Sequence, residues 1–264
     1  MLEVRELTKV YSIGGFFNRR RLIAVNKVSF DIKRGEFVSL VGESGSGKTT
    51  TARMILRILK PTEGKILFEG KNIWELKKIE ELRWYWKNVH GIFQDPYAPF
   101  NPFYKVDRFL NQTINLLDNI TEEEFKKMIK ESLVKVGLSP EYVLGKYPHE
   151  LSGGMRQRIM IARCFILKPK LILADEPVTM LDASTRAGIL NLFSELRDEY
   201  GTSVIFITHD MGLAYYVSDR ILIMRKGEIV EEGGPDKILE RPEHPYTKKL
   251  IEDIPLLYKK WKDF

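Results

Sequence analysis

The chain has 264 residues, of which 44% are hydrophobic and 30% charged, and its formal net charge is +6. This composition is typical of a globular protein with a full core and excludes extended disorder. The apolar runs are far shorter than the roughly 20 residues of a membrane span, and the charged N-terminus does not resemble a signal peptide, so we expect a cytoplasmic protein.

The first element that carries chemistry is a predicted strand over Phe37–Val41, followed by a glycine-rich loop and a helical pattern through Leu59. The loop has the form G-x-x-x-x-G-K-[ST], in the strand, loop and helix context that this pattern requires. Glycines let such a loop wrap phosphates, and its N–H groups and the helix N-terminus supply partial positive charge. We call residues 42–49 the phosphate loop and predict that Lys48 reaches the β/γ-phosphates and Thr49 binds Mg²⁺. The residues predicted to bind nucleotide here are Gly42, Glu43, Ser44, Gly45, Ser46, Gly47, Lys48, Thr49 and Thr50.

Residues 93–106 read FQDPYAPFNPFYKV, and their prolines exclude regular structure. Such an apolar loop either packs inward or serves as a contact patch, and we favour contact. We call residues 95–104 the aromatic loop. A helical pattern over Thr121–Val136, with acidic residues in its first turn, predicts a compact helical subdomain over about residues 95–165.

The stretch HELSGGMRQR, residues 149–158, predicts a helix that starts at an anion. Ser152 is a favoured N-cap, while Gly153 and Gly154 leave the first N–H groups uncovered although each weakens a helix by about 1 kcal/mol. A capped surface helix with a flexible first turn is the alternative. Because the phosphate loop accounts for one nucleotide, we predict that this helix start binds the nucleotide of a second copy in a two-fold pair.

Two later apolar runs end in polar residues. Leu171–Ala174 is followed by Asp175 and Glu176, and Ser203–Thr208 is followed by His209. Ligands bind beyond the carboxyl ends of buried parallel strands. We therefore predict that Asp175 holds Mg²⁺, that Glu176 is the general base for the attacking water, and that His209 contacts the γ-phosphate or helps to hold that water.

Together these motifs resemble the ATPase subunit of ATP-binding cassette (ABC) transporters, and the resemblance spans nearly the whole chain. Residues 151–157 match the family signature, with Met155 where many members have glutamine. On the resemblance alone, Tyr11 in LTKVY matches the aromatic residue that stacks on adenine. Gln94 in IFQDP matches the glutamine that senses Mg²⁺ and the attacking water. Asp182, in MLD rather than ALD, matches the aspartate of the loop across the dimer.

The resemblance implies an α/β P-loop NTPase fold, with a RecA-like core of mainly parallel sheet, an N-terminal antiparallel β region and a helical subdomain. It implies ATP and Mg²⁺ as cofactors, ATP hydrolysis coupled to transport, and a peripheral position on the cytoplasmic face of the cell membrane. The implied partners are permease subunits, a second ATPase subunit in a homo- or heterodimer and, indirectly, an extracytoplasmic solute-binding protein. Nucleic acid is not expected as a partner.

The C-terminal residues indicate which subgroup of this family the chain resembles. ERPEHPYTKKL, residues 240–250, resembles the C-terminal motif of the dipeptide and oligopeptide uptake subgroup, and the insert at residues 16–25 resembles its F-type subunit. We expect an ATPase domain over residues 1–235, a C-terminal extension over 236–264 and no iron–sulfur cluster. The basic run Arg19–Arg21 is expected to be solvated rather than bound to lipid.

Three other functions stay open at this point. The resemblance favours an importer of di- or oligopeptides, and the same role in an oligosaccharide or nickel importer is the alternative. A nucleic-acid-dependent soluble ATPase would use the basic excess, and its turnover would depend on DNA and salt. A scaffold that does not hydrolyse ATP is the remaining alternative.

Overall fold

The computed structural model describes residues 1–14 and 20–252. These residues form two compact units, one from Met1–Glu75 with the described residues from Ile205 onward, the other from Leu76–Val204. Residues 16–19 of the predicted insert over residues 16–25, including Arg19, lie outside the described residues, as does the end of the predicted C-terminal extension. The predicted domain boundary near residue 235 stays a prediction.

The elements follow in chain order. Up to residue 75 they are β1 (Leu2–Ile13), β2 (Arg20–Ile32), β3 (Phe37–Val41), α1 (Lys48–Ile55), β4 (Glu63–Phe68) and β5 (Lys71–Asn72). The second unit contains α2 (Ile79–Asn88), β6 (Val89–Ile92), α3 (Val106–Asn111), α4 (Glu122–Lys135), α5 (Pro140–Val143), α6 (Gly153–Leu167), β7 (Leu171–Asp175) and α7 (Ala183–Tyr200), with 3₁₀ helices over Gln112–Leu116 and Pro148–Glu150. The chain then forms β8 (Ser203–Thr208), α8 (Met211–Val217), β9 (Arg220–Arg225), β10 (Glu228–Gly233), α9 (Pro235–Glu240) and α10 (Pro245–Glu252).

The first unit contains an antiparallel sheet in the order β2-β1-β4-β5. This sheet confirms the predicted N-terminal antiparallel region. Arg20 and Arg21 are exposed and lie in its strand β2. Their position in water rather than against lipid stays a prediction.

The strands that lead to the predicted site residues are buried. In the first unit β3 pairs in parallel with β9, which pairs antiparallel with β10, and β3 also neighbours β8. In the second unit β6 pairs in parallel with β7. Every residue of β3, β7 and β8 is buried, as expected for near-continuous apolar runs in parallel sheets.

The helical prediction for the second unit is confirmed at α4. Phe125, Ile129 and Leu133 are buried on one face, which follows the spacing of an amphipathic helix, and α4 packs against α6. Thr121 caps the helix: its hydroxyl accepts the Glu124 N–H while the Glu124 carboxylate accepts the Thr121 N–H.

The end predicted for the first helix is wrong. The helical pattern extends through Leu59, but α1 ends at Ile55. Two residues further on, Arg57 adopts a φ of 57°, a left-handed conformation that an α-helix cannot continue.

Candidate functional site

The phosphate loop is shaped by two glycines that no larger residue can replace. A Cβ on Gly42 would lie 2.1 Å from the Met224 carbonyl oxygen of β9. Gly47 has a φ of +109°, and a Cβ there would lie 2.5 Å from the Ala24 carbonyl oxygen. The backbone therefore turns tightly between β3 and α1, as a close approach to phosphate requires.

Lys48 lies across this loop with only 5% of its surface exposed. Its Nζ donates to the Gly42 carbonyl at 2.6 Å and to the Glu43 carbonyl at 2.8 Å. The first hydrogen bond of α1 runs from Thr51 N–H to the Gly47 carbonyl at 2.9 Å, so the preceding amides lie at the helix N-terminus. A buried ammonium, a helix N-terminus and a loop without bulky side chains together fit a polyphosphate.

The two predicted site residues of the first unit that lie outside the phosphate loop region are less buried than Lys48. Tyr11 is half-buried, and the Lys9 ammonium lies 5.4 Å from its ring centroid. His209 follows β8 and is exposed. Its neighbour Asp210 caps α8 by accepting the N–H of Gly212 at 2.8 Å.

In the second unit the structure joins two of the predicted catalytic side chains. The Gln94 Nε2 donates to the Glu176 Oε2 at 3.2 Å, and the Thr179 hydroxyl donates to the same oxygen at 3.1 Å. Glu176 has a φ of 47°, whereas Asp175 ends the buried strand β7 and is 8% exposed. A carboxylate held by two donors is suited to orient a water molecule.

Thr179 is a site residue that sequence reasoning missed. Its spacing of three residues from Glu176 is a weak signal, because a hydroxyl in a turn after a strand has many structural uses.

The predicted signature is a capped helix start. The exposed Ser152 accepts the Met155 N–H at 3.2 Å, as predicted for an N-cap. Asp182 caps α7 in the same way, because its carboxylate accepts both the N–H and the hydroxyl of Thr185 at 2.9 Å. A Cβ on Gly154 would lie 3.4 Å from the Thr185 methyl group. The second unit therefore brings Gly154 of the signature next to the start of α7.

Arg156 connects this helix start to the aromatic loop, and sequence reasoning missed it too. It is 2% exposed, and its guanidinium donates to the Pro148 carbonyl at 2.5 Å and also to the Leu151 carbonyl. Its Cζ lies 3.4 Å from the Tyr97 ring centroid. The only sequence signal is an arginine on the apolar side of a helix.

The aromatic loop is irregular, as its prolines predict, but its rings divide between two environments. Phe100 is buried and packs on Phe109 at 4.6 Å between ring centroids. Tyr97, Phe103 and Tyr104 are exposed, Phe103 by 84%. A groove of about 720 Å³ beside them is lined by Phe103, Tyr104, Lys105, Asp107, Arg108, Asn111, Gly145 and Tyr147. Three rings are thus available for contact while the fourth packs inward.

Two titratable groups near α6 are too buried for chemistry at neutral pH. Burial, aided by the nearby Arg163 charge, lowers the pKa of His90 to about 3. Burial raises the pKa of the Cys164 thiol to about 12. His90 therefore stays neutral and Cys164 stays a thiol, as expected for core residues.

The sequence matches two known families, one over the region with the phosphate loop and the signature and one over the C-terminal tail. Residues 25–179 match the ABC transporter family, and residues 230–264 match the family described as oligopeptide/dipeptide transporter, C-terminal region. The chain belongs to the ABC transporter family and is an ATP-binding ATPase of that family with an α/β P-loop NTPase fold.

Named relatives point to one branch of this family. The oligopeptide transport ATP-binding protein OppF of Bacillus subtilis is 44% identical over 97% of this chain and 83% of its own length. AppF of the same organism, also an oligopeptide transport ATP-binding protein, is 41% identical over 98% of this chain and 80% of its own length. The glutathione import ATP-binding protein GsiA of Pectobacterium atrosepticum is 42% identical over 97% of this chain, which spans 41% of GsiA.

Among solved structures, a dimer of the ATP-binding cassette MJ0796 with bound ADP and Pi is similar, with a TM-score of 0.79 and 31% identity. The similarity covers 89% of this chain and 99% of that one. Within residues 1–14 and 20–252, no helix combines the length and apolar character needed to cross a bilayer.

Proposed function

We propose that this chain energises a membrane importer of di- and oligopeptides by binding and hydrolysing MgATP. The observation that supports the substrate class is the match of residues 230–264 to the C-terminal region of oligopeptide/dipeptide transporters. The relatives named for oligopeptide transport, at 41% and 44% identity over nearly the whole chain, support it further.

The phosphate loop binds the triphosphate in this proposal. Lys48 moves its Nζ from the Gly42 and Glu43 carbonyls to the β/γ-phosphate oxygens, which are stronger acceptors because they are charged. The amides of residues 44–50 and the α1 N-terminus bind the remaining oxygens. Tyr11 stacks on the adenine ring.

The residues proposed for Mg²⁺ are all oxygen donors: the Thr49 hydroxyl, the Asp175 carboxylate and the Gln94 side-chain carbonyl. They fit this ion, because Mg²⁺ binds through one or two carboxylates, substrate phosphates and water rather than through a full protein cage. When bound, Mg²⁺ neutralises charge that develops on the transferred phosphoryl group.

Hydrolysis is proposed to depend on Glu176 as general base. The hydrogen bonds from Gln94 and Thr179 to its Oε2 support this role, because they orient the carboxylate before water arrives. Glu176 takes a proton from the attacking water, and His209 contacts the γ-phosphate.

We further propose that two ATPase subunits share each nucleotide. Ser152 and the amides of Gly153 and Gly154 from one subunit bind the γ-phosphate of ATP held by the other, and Asp182 lies at the same interface. The exposed capped helix start supports this arrangement, because such a terminus is an anion site. Hydrolysis removes the bridging charge and loosens the pair.

The proposed membrane contact is the aromatic loop. Its three exposed rings are the kind of side chain that anchors a protein interface, and they follow Gln94 directly in the chain. Permease binding through these rings would hold the subunit on the cytoplasmic face of the membrane and couple the position of Gln94 to transport.

The test is reconstitution with the permease subunits and the solute-binding protein in lipid vesicles. We expect peptides of two to several residues to stimulate ATP hydrolysis and to accumulate in the vesicles. Stimulation by oligosaccharides or nickel but not by peptides would refute the substrate class. DNA-stimulated turnover without any effect of the permease would refute the transport role.

A further inference from the structure

The tail motif resembles a subgroup signature, but the roles proposed above give it no task. Its Tyr246 lies near the start of α10 and is only 2% exposed. The ring belongs to a hydrophobic cluster that includes Val41, the last residue of β3 before the phosphate loop. The C-terminal segment therefore packs in the same hydrophobic cluster as the strand that leads into the phosphate loop.

The phenol oxygen of Tyr246 makes a direct hydrogen bond to the loop. It accepts the Glu43 backbone N–H at 2.9 Å. The Arg225 guanidinium lies 4.7 Å from the ring centroid, and Arg225 follows Met224, whose carbonyl touches Gly42. Burial raises the pKa of Tyr246, so its phenol is neutral at physiological pH.

The segment before Tyr246 is anchored independently of the loop. The Glu231 carboxylate of β10 is 8% exposed and accepts the N–H of Glu243 at 2.8 Å and of His244 at 3.0 Å. His244 Nδ1 in turn accepts the Tyr246 N–H at 3.1 Å. These bonds fix the backbone at and just before Tyr246, so the phenol can act as a fixed acceptor.

The peptide groups of Glu43 are consequently held from two sides. Tyr246 accepts its N–H, while Lys48 donates to its carbonyl and to that of Gly42. If Lys48 turns to a triphosphate, both of its carbonyl bonds break. The bond from Glu43 to Tyr246 does not involve the ammonium and persists.

We infer that Tyr246 is a positioning residue for nucleotide binding, which keeps the phosphate loop in its binding shape when Lys48 leaves the loop carbonyls. This inference rests on the proposed role of that loop in binding the triphosphate. It gives the C-terminal segment a physical task at the ATP site.

The test compares Tyr246→Phe with wild type in the full-length chain. Phenylalanine keeps the ring in its cluster and removes only the hydroxyl. Tyr215→Phe is the matched control, because the Tyr215 hydroxyl donates to Asp236 at 3.0 Å in the same unit and has no role proposed here. Calorimetry gives the Kd for MgATP and MgADP, and amide hydrogen exchange without nucleotide reports on the Glu43 N–H.

We expect Tyr246→Phe to raise the Kd values for MgATP and MgADP by about 3- to 10-fold, which is the effect of one lost hydrogen bond. The Glu43 amide should exchange faster, the KM for ATP should rise, and kcat at saturating ATP should stay near that of wild type. Tyr215→Phe should change none of these.

A Kd within twofold of wild type, together with unchanged Glu43 exchange, would overturn the inference. A lower melting temperature with unchanged affinity would also overturn it, because the ring would then serve packing alone. Failure of the wild-type chain to bind MgATP would instead contradict the proposed function, and Glu43 exchange would still decide whether Tyr246 holds the loop.

Discussion

Glu176→Gln tests the proposed chemistry most directly, because it changes one oxygen to nitrogen at a side chain whose surroundings are known. Gln94 and Thr179 both donate to the Glu176 Oε2, at 3.2 and 3.1 Å. The oxygen of a glutamine amide can accept the same two donors, so the side chain should keep its position. What it loses is the negative charge and the ability to take a proton from water.

The expected loss follows from that single change. General base catalysis contributes about 10²- to 10⁴-fold, so kcat should fall by that factor, which corresponds to about 2.7–5.4 kcal/mol in the activation free energy. The Kd for MgATP should stay within about twofold of wild type, because phosphate binding is proposed to depend on Lys48 and the loop amides. Dimers with bound ATP should accumulate, because the bridging phosphate is not removed.

The assay is phosphate release at saturating MgATP, with binding measured by calorimetry and dimers by light scattering. Glu122→Gln is the control, because Glu122 is exposed on α4 and pairs with Lys126 at 2.7 Å, an ion pair of little energetic weight. It should stay within twofold of wild-type turnover. A kcat for Glu176→Gln within tenfold of wild type would refute the assignment of Glu176 as base.

Three further predictions address other parts of the chain. Ser152→Arg should leave MgATP binding by the single subunit unchanged but block ATP-dependent dimerisation in light scattering, and tight dimers would contradict the shared site. Arg156→Met should remove the two charged hydrogen bonds to the Pro148 and Leu151 carbonyls and leave the Pro148 carbonyl only the Leu151 N–H. The loss of about 3 kcal/mol should lower the melting temperature by about 6–12 °C, and a change below about 2 °C would refute this. Burial acts to raise the pKa of Glu231, but bonds from two backbone amides and nearby groups leave it lowered overall. Its stabilising effect should therefore be complete above the unfolded value of about 4.3 and disappear as pH falls through the lower folded value, so Glu231→Gln should lower the melting temperature at pH 7 but not near pH 2; equal effects at both pH values would contradict it.

Several features of this protein follow from the sequence because neighbouring residues produce them. The phosphate loop lies between β3 and α1 because an apolar run, a glycine-rich turn and a helical pattern are contiguous. Ser152 and Thr121 act as N-caps because capping involves residues three apart in the chain. The segments before Asp175 and His209 form fully buried strands, because each is a near-continuous apolar run.

Only the tertiary structure decided which distant side chains meet. Gln94 and Glu176 are separated by 82 positions, and Glu43 and Tyr246 by 203, yet each pair shares a hydrogen bond. Periodicity gives the face of a strand or helix but not the partner across it, so neither bond could be read from spacing. The same limit explains why Phe100 packs inward while Phe103, in the same loop, is exposed: the difference depends on the ring of Phe109, which α3 brings beside one and not the other.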